Sequence, residues 1–222
     1  MNRRIGIIGM ALALTACSTG PSPSPKPPCP TEAPTAVSAQ ATLENAAVAS
    51  VTVSGAVEGT FEIELLGDAA PIATANFVNL ARCGYYDGVT FHRVIAGFVI
   101  QAGDPGTRDN RGDFPELGRG GPGYGFEIEP PAEGLRYDPY VVAMANNTVA
   151  NGGQFFIDLV DLDDALRQAG VYTIFGRVTS GTDVVDEIGA VPVNDPRIGL
   201  PLTPVIIDEI VISGGATPSR DE

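Results

Sequence analysis

The chain has 222 residues, with 27 acidic and 13 basic side chains, a formal charge of −14, three cysteines, one histidine and no tryptophan. Nucleic-acid binding needs a surplus of lysine and arginine to neutralise phosphates, and the balance here is the opposite. One histidine cannot supply a multi-histidine metal site, and three cysteines cannot build a four-cysteine zinc knot or the disulfide framework of a small secreted domain. Hydrophobic residues make up 44%, enough for a sizeable core, and the length fits one domain with additions.

Met1 to Arg4 is basic. Ile5 to Leu14 is an apolar run of about ten residues, where a bilayer span takes roughly twenty. Small residues follow in Leu14-Thr15-Ala16-Cys17. The pattern predicts a secretory leader over residues 1–16. A cysteine directly after the small residues resembles a bacterial lipoprotein signal. That resemblance implies cleavage before Cys17, diacylglycerol on its sulfur and acylation of the new amino terminus. Two or more acyl chains anchor a protein stably, where one chain binds only marginally. The other reading, an ordinary leader with a chance cysteine, prefers small residues at both −1 and −3, and Leu14 occupies −3. The expected location is the extracytoplasmic face of the cell membrane.

Residues 17–44 read as a disordered tether. Seven prolines fall between Pro21 and Pro34, and Ser, Thr and Ala fill most of the rest. Such a segment buries too little surface to fold and favours extended polyproline II. It also fits a Pro-rich ligand for another domain. Cys29 lies in it, either pairing with Cys83 or remaining a free or mispaired thiol. Residues 214–222 are small and polar and read as a frayed tail.

One domain is expected over residues 45–213. Val48–Val53 and Phe61–Leu66 alternate apolar and polar around Gly55 and Gly59, which predicts a hairpin. Pro71 suits the first turn of a helix with Asp68 near its start; Phe77, Leu80 and Ala81 give the helical spacing and Gly84 the stop. Strand-like runs follow at 89–95 and 98–101, broken by Gly97, then a glycine-rich loop over 103–125. Further runs cover 125–128, 140–145, 154–159, 171–178 and 205–212, with short helices near 161–169 and 181–189. Many short strands with glycine-rich connections predict a mainly β sandwich or barrel.

Several chemistries lack their motif. There is no P-loop, and Gly118-Arg119-Gly120-Gly121-Pro122-Gly123 carries a proline and no following helix. No Gly-x-Ser-x-Gly accompanies His92, which reads as a structural histidine bonded to backbone. Asp161, Asp163 and Asp164 lack the glycine and distal glutamate of a calcium loop and fit a helix N-terminus instead. What stands out is Phe91-His92-Arg93-Val94-Ile95-Ala96-Gly97-Phe98-Val99-Ile100-Gln101-Ala102-Gly103-Asp104, where an arginine and a glutamine sit among large apolar residues. On a strand, His92 and Arg93 point to opposite faces, while 93 and 101 share parity. A second cluster holds Met144-Ala145-Asn146 and Gly153-Gln154-Phe155-Phe156.

These two segments resemble the signatures of the cyclophilin family of peptidyl-prolyl cis-trans isomerases. So do Asn76 to Leu80, Gly84 to Gly88, Gly120 to Tyr124 and Tyr172 to Val178, and the resemblance covers nearly the whole domain in order. It implies a closed eight-stranded antiparallel barrel capped by two helices, with the active groove on the outer face. It implies that Arg93 is the catalytic arginine and that Phe98, Val99, Phe156 and Tyr172 line the proline pocket. Gln101 and Gln154 would hold the substrate, and Asn146 would anchor the peptide backbone. No metal or cofactor is implied, and the partners would be proline-containing unfolded or flexible polypeptides, met by a monomer. Four features depart from the family pattern: Ala96 stands for proline, Val99 for methionine, the stretch from Asn146 to Gln154 is one residue short and lacks its proline, and 160–171 is long. Leu162 or Leu166 takes the place of the pocket leucine, and without tryptophan cyclosporin binding is expected to be weak. The expected function is isomerisation of Xaa-Pro bonds in proteins folding outside the cytoplasm. The rivals are a non-catalytic peptide-binding or chaperone module on the same fold, and a solute-capturing lipoprotein.

Overall fold

The structure is a computed structural model that describes residues 25–108, 117–147 and 150–214. The leader, Cys17 and all but the first residue of the tail lie outside the described residues. Among the described residues there are eight strands: β1 (Val48–Gly55), β2 (Gly59–Leu65), β3 (Arg93–Val94), β4 (Val99–Ala102), β5 (Val141–Asn146), β6 (Asn151–Asp158), β7 (Ile174–Ser180) and β8 (Val205–Ser213). Four helices accompany them, α1 (Ala36–Leu43), α2 (Pro71–Arg82), α3 (Asp163–Ala169) and α4 (Thr182–Gly189), with a 3-10 turn at Pro105–Arg108.

The strands form one antiparallel sheet in the order β3-β4-β6-β5-β7-β2-β1-β8. It is a curled, open half-barrel, so the expected closed barrel is corrected. The reason lies in the segment before β3. Phe91 N donates to Val205 O (3.0 Å) and Ile207 N to Val89 O (2.8 Å), but His92 N already turns to Gln101 O (3.1 Å). The chain changes partner from β8 to β4 within two residues, leaving the bridge Thr90–Ile206 and no ladder from β3 to β8. The run predicted over 89–95 is therefore cut to two residues of strand, and the one at 125–128 to a bridge between Phe126 and Asn151.

Alternation along β6 sorts two cores. Phe155 and Ile157 point inward and join Phe61, Phe77, Tyr86 and Phe175 inside the curl. The Phe77 and Phe155 rings meet edge-on at 5.6 Å and 87°, a geometry aromatic quadrupoles favour. Phe156, of opposite parity, joins Val99, Tyr137, Val141, Ala143, Leu162, Leu166 and Ile174 in a second cluster outside. Each fully buried large side chain contributes about 1.5–3 kcal/mol.

The first turn of α2 departs from its sequence expectation. Its N-cap is Ala70, which offers no side-chain cap. Glu129 instead accepts from Ile72 N (3.0 Å) and Ala73 N (2.8 Å), bringing a carboxylate to the positive end of the helix. Part of the stretch read as a tether, residues 25–44, carries defined structure. Thr35 caps α1 through a capping box with Ser38, and Cys29 forms a disulfide with Cys83, Cα atoms 5.0 Å apart. Lys26 pairs with Asp87, Arg82 Nη1 donates to Thr42 O (3.3 Å), and α1 lies along α2. Polar composition predicted disorder because it holds little to bury; one covalent bond and a few small residues suffice to dock it.

Candidate active site

The segment from Arg93 to Gln101 is a hairpin. Ile95, Ala96, Gly97 and Phe98 form its turn, closed by Phe98 N to Ile95 O (2.9 Å), with Gly97 at φ 70°. A positive φ at the third position is what a type II turn requires, and glycine supplies it without strain. The turn sets Arg93 directly opposite Gln101 across the ladder. Gln101 in turn faces Phe156 of β6. Paired residues of antiparallel strands project to the same face, so three chemistry-bearing side chains emerge side by side.

They open into a cavity of about 340 Å³. Arg93, Phe98, Val99, Gln101, Asn146, Phe156 and Tyr172, picked out in the sequence, all line it, together with Ala145 and Leu166. Leu166 is thus the leucine at the pocket, while Leu162, one turn earlier, is packed in the second core. Phe156 and Tyr172 meet edge-on at 5.5 Å, making a stiff apolar wall. The Arg93 guanidinium lies 5.7 Å from the centre of the Phe98 ring. Among the described residues it forms no ion pair. Burial lowers its pKa from the ordinary arginine value and Tyr172 nearby partly opposes that; arginine remains the cation throughout. An unpaired, half-buried cation above an apolar pocket is costly unless a ligand supplies its partner.

Gln154 lies beside this pocket rather than in it. Gln101 Nε2 donates to Gln154 Oε1 (3.0 Å), and Gln154 Nε2 donates to Gly120 O (2.8 Å). Gln154 also lines an adjoining cavity of about 820 Å³ walled by the 118–125 loop, which shares Gln101, Ala145 and Asn146 with the first. The two cavities make one groove. Asn146 sits where they meet, its side chain donating to Val171 O (2.8 Å).

Asp104 is a residue whose part the sequence does not reveal. Its buried carboxylate accepts from Gly106 N (2.8 Å), Gly118 N (2.6 Å) and Gly120 N (3.2 Å), and so fixes the glycine loop beside the groove. Gly103 before it has φ 97°, and a Cβ there would stand 2.7 Å from the Cα of Gln154. That close approach draws β4 against the groove floor. The only possible signal was the Gly-Asp pair itself; Gly106 is two residues on, but Gly118 and Gly120 lie 14 and 16 residues away. His92 points away from the groove and is buried. By strict geometry neither ring nitrogen reaches a hydrogen-bond partner among the described residues, while the Thr90 backbone lies near enough to interact with the ring. Burial pushes its pKa down to about 4, which keeps the ring neutral at pH 7. Among the described residues no three potential metal-ligating side chains come together, and no helix is long and apolar enough to cross a membrane.

The described residues thus form an outward groove on an antiparallel half-barrel, with the Arg93 guanidinium over an apolar pocket and side-chain amides along the rim. Residues 48–212 match the family described as cyclophilin type peptidyl-prolyl cis-trans isomerase/CLD, and the chain belongs to that family. It is 41% identical over 172 residues to peptidyl-prolyl cis-trans isomerase B of Streptomyces anulatus, covering 69% of this chain and 91% of that one. It is 41% identical over 177 residues to peptidyl-prolyl cis-trans isomerase A of Mycobacterium tuberculosis, covering 70% and 87%. A cyclophilin type isomerase from Cryptosporidium parvum, solved in the presence of the dipeptide Ala-Pro, superposes with a TM-score of 0.63 at 30% identity over 75% of this chain and 99% of that one.

Proposed function

We propose that Arg93 accelerates rotation about Xaa-Pro bonds of flexible polypeptides, and that the enzyme works at the extracytoplasmic face of a membrane through a lipid on Cys17. The peptide bond resists rotation by about 18–20 kcal/mol because the nitrogen lone pair is shared with the carbonyl. Both isomers of an Xaa-Pro bond are populated and exchange over tens to hundreds of seconds. As the bond twists, the lone pair localises on the prolyl nitrogen and becomes an acceptor. A guanidinium aimed at it donates a bond that hardly exists in the planar ground state, which lowers the barrier selectively. Phe98, Val99, Phe156 and Tyr172 hold the pyrrolidine ring, while Gln101, Gln154 and Asn146 hold the rest of the peptide. No covalent bond forms or breaks and no proton need be transferred.

The observation that carries this reading is the Arg93 guanidinium, without an ion pair among the described residues and at the rim of the cavity lined by Phe98, Val99, Phe156 and Tyr172. A protease-coupled assay on a proline tetrapeptide tests it with the fragment from Pro25 onward, which keeps the Cys29–Cys83 bridge, and with Arg93→Ala. Loss of most turnover with peptide binding retained supports the role; unchanged turnover overturns it. Peptide binding by the wild type without rate enhancement would favour a non-catalytic binding module, a reading motivated by the shortened stretch from Asn146 to Gln154. With no tryptophan in the chain, cyclosporin is expected to inhibit weakly. The lipid anchor is tested separately: Cys17→Ser should release the full chain from the membrane fraction.

A further inference from the structure

Two walls of the small cavity come from a stretch of chain with little regular structure. Leu166 sits on the seven-residue α3, and Tyr172 lies in the extended link from α3 to β7. Neither wall is part of a strand ladder, so something else must hold their separation. One residue bonds the backbone of Tyr172 and shares a packed cluster with Leu166. Tyr137 is 1% exposed and lies under the pocket in the second core. Its hydroxyl donates to Tyr172 O (2.8 Å) and accepts from Tyr172 N (3.2 Å), so a single oxygen grips both backbone groups of the wall residue. Toward α3, Tyr137 N donates to Asp163 Oδ1 (3.2 Å), and Tyr137 O accepts from Leu162 N (2.8 Å). Arg167 lies 5.8 Å over the Tyr137 ring and is itself bonded to Asp163 (3.0 Å) and to Leu135 O (2.8 Å). Burial raises the Tyr137 pKa, so the hydroxyl keeps its proton and its donor role.

We infer that Tyr137 is a positioning residue for the proline pocket, setting the distance between the Leu166 and Tyr172 walls and thereby the affinity for the ring. This rests on the isomerase reading of the same site. Both backbone groups of Tyr172 itself are held by that one hydroxyl, while its neighbours Val171 and Thr173 are tied to Asn146 and Met144 of β5 and Phe156 meets its ring edge-on. Tyr137→Phe removes that oxygen and keeps the ring, the packing and the links to α3. The Tyr172 wall then loses both of its backbone bonds and relaxes, and the pocket fits the pyrrolidine ring less well. Since Arg93 and Gln101 stand on other elements, the chemical step itself is left in place. The signature is therefore weakened binding with turnover retained.

The test is a titration of the full domain with a proline-containing tetrapeptide, followed by amide NMR, for the wild type, Tyr137→Phe and Tyr140→Phe. Tyr140 is the control, since its hydroxyl bonds Asp186 at the surface and not the groove. Tyr137→Phe is expected to raise Kd and KM about five- to tenfold with kcat within twofold, and to speed hydrogen exchange at the Tyr172 amide at least tenfold; Tyr140→Phe leaves all of these unchanged. Kd and KM within twofold of the wild type, or a fall in kcat alone, would overturn the proposal. Should Tyr137→Phe fail to fold, Arg167→Gln frees the same ring from the helix side. A smaller loss of affinity is expected there, and none would overturn the proposal. If the wild type binds peptide without turnover, the isomerase reading fails while the Kd comparison still decides the part of Tyr137. If it binds no peptide, both fail.

Discussion

Arg93 and Gln101 stand directly opposite each other across the ladder between β3 and β4, their side chains on the groove face. The pairing brings the cation beside the amide that begins a chain of hydrogen bonds through Gln154 to Gly120. The groove rim is thus braced, while the guanidinium keeps its donors for a ligand. Removing the guanidinium should therefore cost catalysis and not stability. Arg93→Ala is expected to lower kcat/KM by about 10²–10³, the range seen when one transition-state donor is deleted. Its melting temperature should stay near that of the wild type, because no ion pair is lost. Arg93→Lys keeps a charge but not the rigid donor fork, and should remain well below wild type in the coupled assay.

The turn that sets this pairing has alanine at its second position, where type II turns favour proline. The Ala96 amide donates no backbone hydrogen bond in the turn. Ala96→Pro should stabilise the domain by about 0.4–1 kcal/mol by restricting the unfolded chain. Denaturant midpoints of the two forms measure this, and activity should be retained.

Asp158 lies at the end of β6, fully buried, with neither carboxylate oxygen bonded. Burial, then repulsion from Asp138 and Asp161, pushes its pKa up to about 8. Unfolded, it titrates near 4. The folded protein thus holds a neutral acid at pH 7 where the unfolded chain holds an anion. Its contribution to stability is fully present below pH 4 and is lost as pH rises through 8. Asp158→Asn should remove that slope and make the variant more stable than the wild type at pH 8, by an amount on the order of several kcal/mol. His92 acts in the opposite sense. Its folded pKa of about 4 lies below the unfolded value, so stability falls as pH drops from 6.5 toward 4. The asparagine variant should expose that acid limb. Urea unfolding of both proteins at pH 4, 6, 8 and 9 distinguishes the two slopes.

The Cys29–Cys83 bridge closes a separation of 54 residues between the N-terminal segment and the end of α2. Constraint of the unfolded chain by such a loop is worth about 2–4 kcal/mol. The double variant Cys29→Ser, Cys83→Ser should melt about 5–15 °C lower, at roughly 2–4 °C per kcal/mol for a chain of this size. Reductant should lower the melting point of the wild type and leave that of the variant unchanged. Isomerase activity at 25 °C should persist in both, since neither cysteine lines the groove.

The sequence by itself determined the mainly β character and singled out Arg93, Phe98, Val99, Gln101, Asn146, Phe156 and Tyr172, which line the small cavity. The β character follows from local alternation and glycine-rich connections; the pocket residues came from the resemblance carried by the long motif from Phe91 to Asp104 and by the cluster around Asn146 and Phe156. The sequence also placed α2, whose proline and apolar spacing are local. Only the tertiary structure decided what depends on partners far along the chain. The open seam between β3 and β8 arises because one short segment pairs with two different strands. The cap of α2 comes from Glu129, 57 residues beyond Ile72. The choice of Leu166 over Leu162 rests on how α3 is turned by Tyr137 and Asp163, and the docking of α1 rests on a disulfide between a proline-rich segment and a helix end. In each case local propensity was satisfied by more than one arrangement, and a distant donor, acceptor or thiol selected the one that forms.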